Sequence, residues 1–251
     1  MKIKKFILFI FLLLGLNKTV NAANLPNNFV YLHDIDPTIT QEIRYAGYHN
    51  FIGRPVTGYQ AAECILTKPA AVALAKIQQE LNKKALGLKV YDCYRPQMAV
   101  DDFIVWSSLS KQQQMKAEFY PRVNKKQFFE LGYVAAQSGH TRGSTVDLTI
   151  IPYPATPQAK YISGQKLVAC FMPYYQRFQD NSIDMGTGFD CMDELAHVFN
   201  KSITKTAYEN RMLLRKIMQK YGFVPYNEEW WHFTLDNESF PNTYFNFAIK
   251  K

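Results

Sequence analysis

The chain has 251 residues, enough for one sizeable core, and it contains no low-complexity linker and no internal repeat. Its formal charge of +8 does not imply nucleic acid, because Lys2, Lys4, Lys5 and Lys18 fall in an acid-free N-terminal segment without which the charge is +4. A balance that modest favours solubility and suits anionic partners such as cell-wall polymers.

The first predicted element is a targeting segment. Lys2, Lys4 and Lys5 form a positive start, Phe6 to Leu16 is an apolar run, and Val20-Asn21-Ala22 offers small residues for cleavage. The run is shorter than the roughly 20 residues that span a bilayer as a helix. Residues 1–22 are therefore expected to be a cleaved signal peptide and residues 23–251 a single domain, exported to a periplasmic or secreted location. No later segment is long and apolar enough to cross a membrane.

Further along, Val30-Tyr31-Leu32 reads as a short strand and residues 50–58 as a loop. From Pro69 to Lys84 the apolar residues Ala73, Leu74, Ile77 and Leu81 recur at helical spacing, with Pro69 suited to a first turn. Gly87 to Tyr91 reads as a strand, the segment from Pro96 through Trp106 as a helix, and the β-branched run Thr145 to Ile151 as a core strand. Residues 127–133 fit no pattern. With three prolines and several tyrosines, the chain between Pro152 and Asp190 is irregular and reads as an elaborated hairpin or a surface excursion. Thr206 to Tyr221 is a helix stopped by Gly222, and Phe223–Tyr226 and Trp231–Leu235 form a closing pair of strands. Without a βαβ rhythm the expected fold is α+β, with helices packed on a mainly antiparallel sheet.

Four cysteines in an exported chain suggest two disulfides, for which three pairings exist. The sequence-local pairing Cys64–Cys93 and Cys170–Cys191 is expected. No two of the four have CxxC spacing, which argues against a cysteine-rich metal site.

Chemistry concentrates in two segments. In Ser138-Gly-His140-Thr-Arg142-Gly-Ser-Thr-Val-Asp147, Asp147 lies inside a strand, where an unpaired carboxylate is costly to bury. From this segment alone, Asp147 either pairs with Arg142 or binds a cation. In Glu228-Glu229-Trp230-Trp231-His232 a carboxylate precedes a histidine by three residues. Two histidines and one aspartate make a three-ligand site with a fourth position open for water, the mark of a catalytic rather than a structural zinc. His33, His49 and His197 have no comparable neighbours in the sequence.

These motifs, Ser-x-His-x-x-Gly-x-x-x-Asp followed by Glu-x-x-His, resemble the zinc D,D-peptidases of the cell wall. More narrowly they look like the D-alanyl-D-alanine dipeptidase (VanX-type) family. The resemblance extends to Arg44-Tyr45-Ala46, Tyr94-Arg95-Pro96, Phe189-Asp190-x-Met192-Asp193-Glu194 and Pro241-Asn242-x-Tyr244-Phe245, over nearly all of the mature chain. It implies one Zn2+ held by His140, Asp147 and His232. It further implies Glu229 as general base, Arg95 on the scissile carbonyl oxygen, Tyr45 and Asp190 around the substrate amino terminus, and Ser138 near its carboxylate. Read from the residues alone, Arg95 could be a surface arginine and Asp190 a helix N-cap.

The implied reaction is hydrolysis of D-alanyl-D-alanine to D-alanine. A D,D-carboxypeptidase with the same zinc centre and a non-catalytic wall-fragment binder are the competing readings. The expected partner is a small D,D-dipeptide or a cell-wall peptide; no nucleic acid is implied, and the sequence sets no oligomeric state. Export, the four cysteines and a long stretch between Pro152 and Asp184 depart from compact members, and that stretch could cover or reshape the pocket rim.

Overall fold

The computed structural model describes residues 25–251, so the expected signal peptide lies outside the described residues. In chain order, β1 (Phe29–Tyr31), α1 (Leu32–Ile35) and β2 (Thr40–Gln41) are followed by β3 (Ile65–Thr67), α2 (Lys68–Asn82) and β4 (Leu86–Asp92). Then come α3 (Gln97–Ser108), α4 (Lys116–Phe119), β5 (Thr145–Pro152), α5 (Lys205–Lys220), β6 (Phe223–Pro225) and β7 (His232–Leu235). Five strands form one sheet in the order β2-β4-β5-β7-β6, antiparallel everywhere except between β2 and β4. Strands β1 and β3 make a separate antiparallel pair. The α+β class read from the sequence is the one the chain adopts.

The elements form where apolar spacing calls for them. Helix α2 has Pro69 in its first turn and turns Ala70, Leu74, Ile77 and Leu81 inward. Helix α5 is capped by the Thr204 hydroxyl, which accepts from Ala207 N–H, and it buries Ala207, Arg211, Leu214, Ile217 and Met218. The chain leaves it through Gly222 at φ 87°. Strands β4 and β5, inside the sheet, are buried along nearly their whole length, Lys89, Asp92 and Asp147 included. One apolar cluster runs from Phe29 to Ile249. Leu32, expected to end a strand, opens α1 instead, because Asp36 N–H donates back to its carbonyl.

Between Pro152 and Asp190 the regular structure among the described residues is one 3-10 turn at Tyr174–Gln176, as the irregular sequence anticipates. This excursion is anchored electrostatically. Asp180 accepts from Arg44 Nη2 at 3.1 Å, and its backbone carbonyl accepts from the fully buried Lys89 Nζ, which also pairs with Glu42 at 2.9 Å. Both expected disulfides form, Cys64–Cys93 and Cys170–Cys191.

Candidate metal centre and substrate pocket

The sheet register assembles the site. Asp147 on β5 pairs directly with His232 at the start of β7 and, on its other side, with Asp92 at the end of β4. Directly paired residues share a sheet face. The register between β4 and β5 shifts between Val90 and Asp92, so a bulge brings Asp92 rather than Tyr91 opposite Asp147. His140 arrives from a 3-10 turn, Gly139–Arg142, capped by the Ser138 hydroxyl accepting from His140 N–H. The turn ends at Gly143, φ 85°, where the chain enters β5.

His140 Nε2, His232 Nδ1 and Asp147 Oδ1 all lie within 4.8 Å of one another. The two imidazole nitrogens are 3.3 Å apart and stand 3.2 and 3.1 Å from Asp147 Oδ1. Yet Oδ1 is buried and accepts a hydrogen bond from neither. His140 Nδ1 lies 2.7 Å from the Cys93 carbonyl. A carbonyl only accepts, so Nδ1 carries the proton and Nε2 turns a lone pair toward the other two atoms. Three lone-pair atoms converging on one buried point, one of them an orphaned carboxylate oxygen, is an arrangement that a cation satisfies. Two nitrogens and one oxygen suit zinc among other divalent ions. Burial pushes the Asp147 carboxyl up, but the facing His140 and His232 imidazoles outweigh it and hold the group well below the ordinary carboxylate range. Burial pulls His232 down, and the facing Asp147 carboxylate more than reverses this. Arg142, the alternative partner for Asp147, instead forms a two-pronged pair with Glu238 at 2.8 Å on both arms.

The remaining candidates surround this point. Glu229 Oε2 is 3.4 Å from His232 Nδ1, and burial pushes its carboxyl up to about 7 against the pull of His232. Arg95 is no surface arginine. Its Nη2 lies 3.6 Å from Asp147, its Nε and Nη2 each lie 2.9 Å from Asp92, and its guanidinium faces the rings of Tyr45 and Phe103. Asp190 is buried with φ 57° and accepts from the Tyr45 hydroxyl at 2.7 Å. It caps no helix; Asp193 does that for the turn Glu194–Ala196. Burial, and then the Asp147 charge, push the Asp190 carboxyl well up. Tyr45, Arg95, Ser138, Asp147, Asp190, Glu229 and His232 all line one cavity of about 220 Å3, and His140 lies just behind its wall. That is below the ~300–1,000 Å3 of common small-molecule pockets, so the cavity takes a small ligand.

The structure adds residues that sequence reasoning passed over. Asp92 is fully buried and holds Arg95, and the Tyr59 hydroxyl donates to Asp92 at 2.6 Å. Like Asp147, Asp92 is a carboxylate in a buried strand, where it needs a partner. Tyr133 and Tyr226 line the cavity without any sequence signal, as does Met192, which the sequence marked only as part of the motif around Asp190. One expectation is corrected. No residue between Asp147 and Asp190 lines the cavity, so the excursion does not reshape the rim; it docks behind the wall, on Arg44 and Lys89. His33 and His49, which lack such a motif in the sequence, meet acids in the fold, Glu63 at 3.1 Å and Glu118 at 2.7 Å, but neither joins the ligand cluster.

A family profile described as D-ala-D-ala dipeptidase, of a metallopeptidase group, matches residues 26–153 and 158–250. The D-alanyl-D-alanine dipeptidase of Enterococcus faecalis is 36% identical over 223 residues, covering 89% of this chain and 98% of that protein. The protein of that name from Streptomyces coelicolor is 36% identical over 222 residues, covering 88% and 98%. The one from Escherichia coli is 32% identical over 201 residues, covering 80% and 81%.

Proposed function

The chain belongs to the D-alanyl-D-alanine dipeptidase family, and on that footing we propose that it hydrolyses the free dipeptide D-alanyl-D-alanine with one zinc ion held by His140, Asp147 and His232. The convergence of those three ligand atoms within 4.8 Å, at a small cavity also lined by Glu229, Arg95 and Asp190, carries the proposal. Zinc bound there supplies a Lewis acid that polarises the scissile carbonyl and makes water acidic enough to ionise near neutral pH.

The protein groups do the rest. Glu229 accepts the proton of the attacking water and passes it to the leaving amine, a task that suits its place on the cavity wall, 3.4 Å from His232. Arg95, clamped by Asp92, presents a fixed cation to the carbonyl oxygen as it gains charge, and a preorganised donor of this kind is typically worth about 3–4 kcal/mol. Asp190 and Tyr45 receive the substrate ammonium. A cation placed beside Asp190 relieves the cost of a buried carboxylate, so the free amino terminus of a dipeptide binds where a longer chain does not. The backbone around Ser138, whose hydroxyl is committed to capping the His140 turn, faces the substrate carboxylate.

Two disulfides accord with an oxidising compartment, and together with the N-terminal apolar segment they support an exported, periplasmic or secreted enzyme. One continuous apolar cluster supports reading residues 23–251 as one domain.

The test is to incubate zinc-loaded protein with free D-Ala-D-Ala and with a stem pentapeptide and to measure released D-alanine. Release from the dipeptide is expected. Release from the pentapeptide alone identifies a carboxypeptidase, and release from neither identifies a binder.

A further inference from the structure

Each disulfide begins at a residue adjoining one half of the site. Cys93 directly follows Asp92, the partner of Arg95, and the Cys93 carbonyl is the group that fixes the tautomer of His140. Its partner Cys64 directly precedes β3, which belongs to the two-stranded sheet, whereas Asp92 ends β4 of the five-stranded sheet. The bridge therefore ties the two sheets together at the peptide that aims a metal ligand. Backbone bonds from Tyr94 N–H to Ile65 and from Arg95 N–H to His140 extend the same brace.

Cys191 directly follows Asp190, whose backbone is left-handed at φ 57°, a conformation that a side-chain-bearing residue adopts only when its surroundings hold it. Its partner Cys170 lies in the excursion. The Cys170 N–H donates to Glu118, and its carbonyl accepts from Gly188 N–H, while Met192 N–H donates to Phe119. The excursion, α4 and the Asp190 turn are thus stapled into one unit, although no excursion residue touches the cavity.

The geometry points to a division of labour: Cys64–Cys93 positions the metal half of the site through His140, and Cys170–Cys191 positions the substrate-ammonium half through Asp190. This rests on the proposed dipeptidase reading. Cys93 and Cys191 are then positioning residues, and the two bridges govern different constants.

The experiment uses the full mature chain and two double variants, Cys64→Ser with Cys93→Ser and Cys170→Ser with Cys191→Ser. Zinc affinity is read by competition with a chromogenic chelator, and KM and kcat for D-Ala-D-Ala are read at saturating zinc. Loss of the first bridge is expected to weaken zinc binding by about tenfold or more, the range for groups that orient a metal ligand, and to leave KM within about twofold. Loss of the second is expected to raise KM by about tenfold, part of a charge-assisted hydrogen bond, and to leave zinc affinity unchanged. Equal shifts of both constants in both variants, or no shift in either, overturn the assignment. A variant that does not fold is replaced by the corresponding Cys→Ala pair. If that pair also fails to fold, the bridge is a general staple and the assignment falls. The zinc readout needs no turnover. An inactive wild type that binds zinc and shows the affinity split therefore counts against the dipeptidase reading while leaving the brace on His140 intact.

Discussion

Glu229 and Glu228 are neighbours with different surroundings, and their contrast tests the proposed chemistry most simply. Glu229 is turned to the ligand cluster, 3.4 Å from His232, while Glu228 accepts from the Tyr226 hydroxyl at the exposed rim. Glu229→Gln is expected to retain zinc and to lose about 10²–10⁴-fold in kcat, the usual worth of a positioned general base. Glu228→Gln should stay within a few-fold of wild type in the same D-alanine-release assay. Asp190→Asn keeps the bond with Tyr45 but removes the charge offered to an ammonium. Its KM should rise by about ten- to a hundredfold, since hydrogen bonds to charged groups are worth about 1.5–3 kcal/mol. An unchanged KM would remove Asp190 from the substrate site. At this scale the sequence is informative where burial makes polarity expensive. Asp147 stands buried in a β-branched strand, and His232, beside two tryptophans and only partly buried, lines the cavity with it. Tyr59 was not legible, because a tyrosine in a loop has no such signature and its bond to Asp92 spans 33 residues.

The elements that carry these groups are set by backbone detail. The turn bearing His140 ends at Gly143, where φ is 85° and an added Cβ would collide with the Phe29 ring. Gly143→Ala therefore meets both a backbone and a packing penalty, of about 1–3 kcal/mol for the strained conformation alone. Thermal unfolding should show a midpoint lowered by several degrees, at about 2–4 °C per kcal/mol for a chain this size. Where the excursion docks, its Asp180 neutralises Arg44 and Lys89 of β4. Asp180→Ala leaves buried cations short of a partner and should cost about 3–5 kcal/mol in urea unfolding. A variant as stable as wild type would show that Glu42 suffices alone. Helices α2, α3 and α5 and strands β4 to β7 were all legible within a few residues, because each buries one face or both and the apolar spacing records it. The bulge at Tyr91 was not, since it arises from how two strands register and neither strand encodes it alone. The two-residue β2 and the four-residue α1 and α4 are too short to show a period.

Across the whole molecule, the proposed metal, the sheet and the disulfides form one system. Two strands and one turn bring three ligating side chains, Asp147, His232 and His140, to a single point, and Asp92 from a third strand backs them through Arg95, so a bound cation stabilises the folded state by mass action. A chelator should both abolish D-alanine release and lower the unfolding midpoint, the stabilisation lost being about 2.7 kcal/mol when zinc stands at a hundred times its Kd. Chelation that stops activity without moving the midpoint would place the metal outside this centre. The excursion shows how sequence reading reaches its limit at this scale: its irregularity was evident, but whether it bordered the pocket depended on where Asp180 and Cys170 anchor it. The most direct test of the account is anomalous diffraction at the zinc edge from crystals of the zinc-loaded protein. One peak is expected about 2.0–2.2 Å from His140 Nε2, Asp147 Oδ1 and His232 Nδ1, with no fourth protein ligand. A peak elsewhere, or one closed by a fourth side chain, would contradict it.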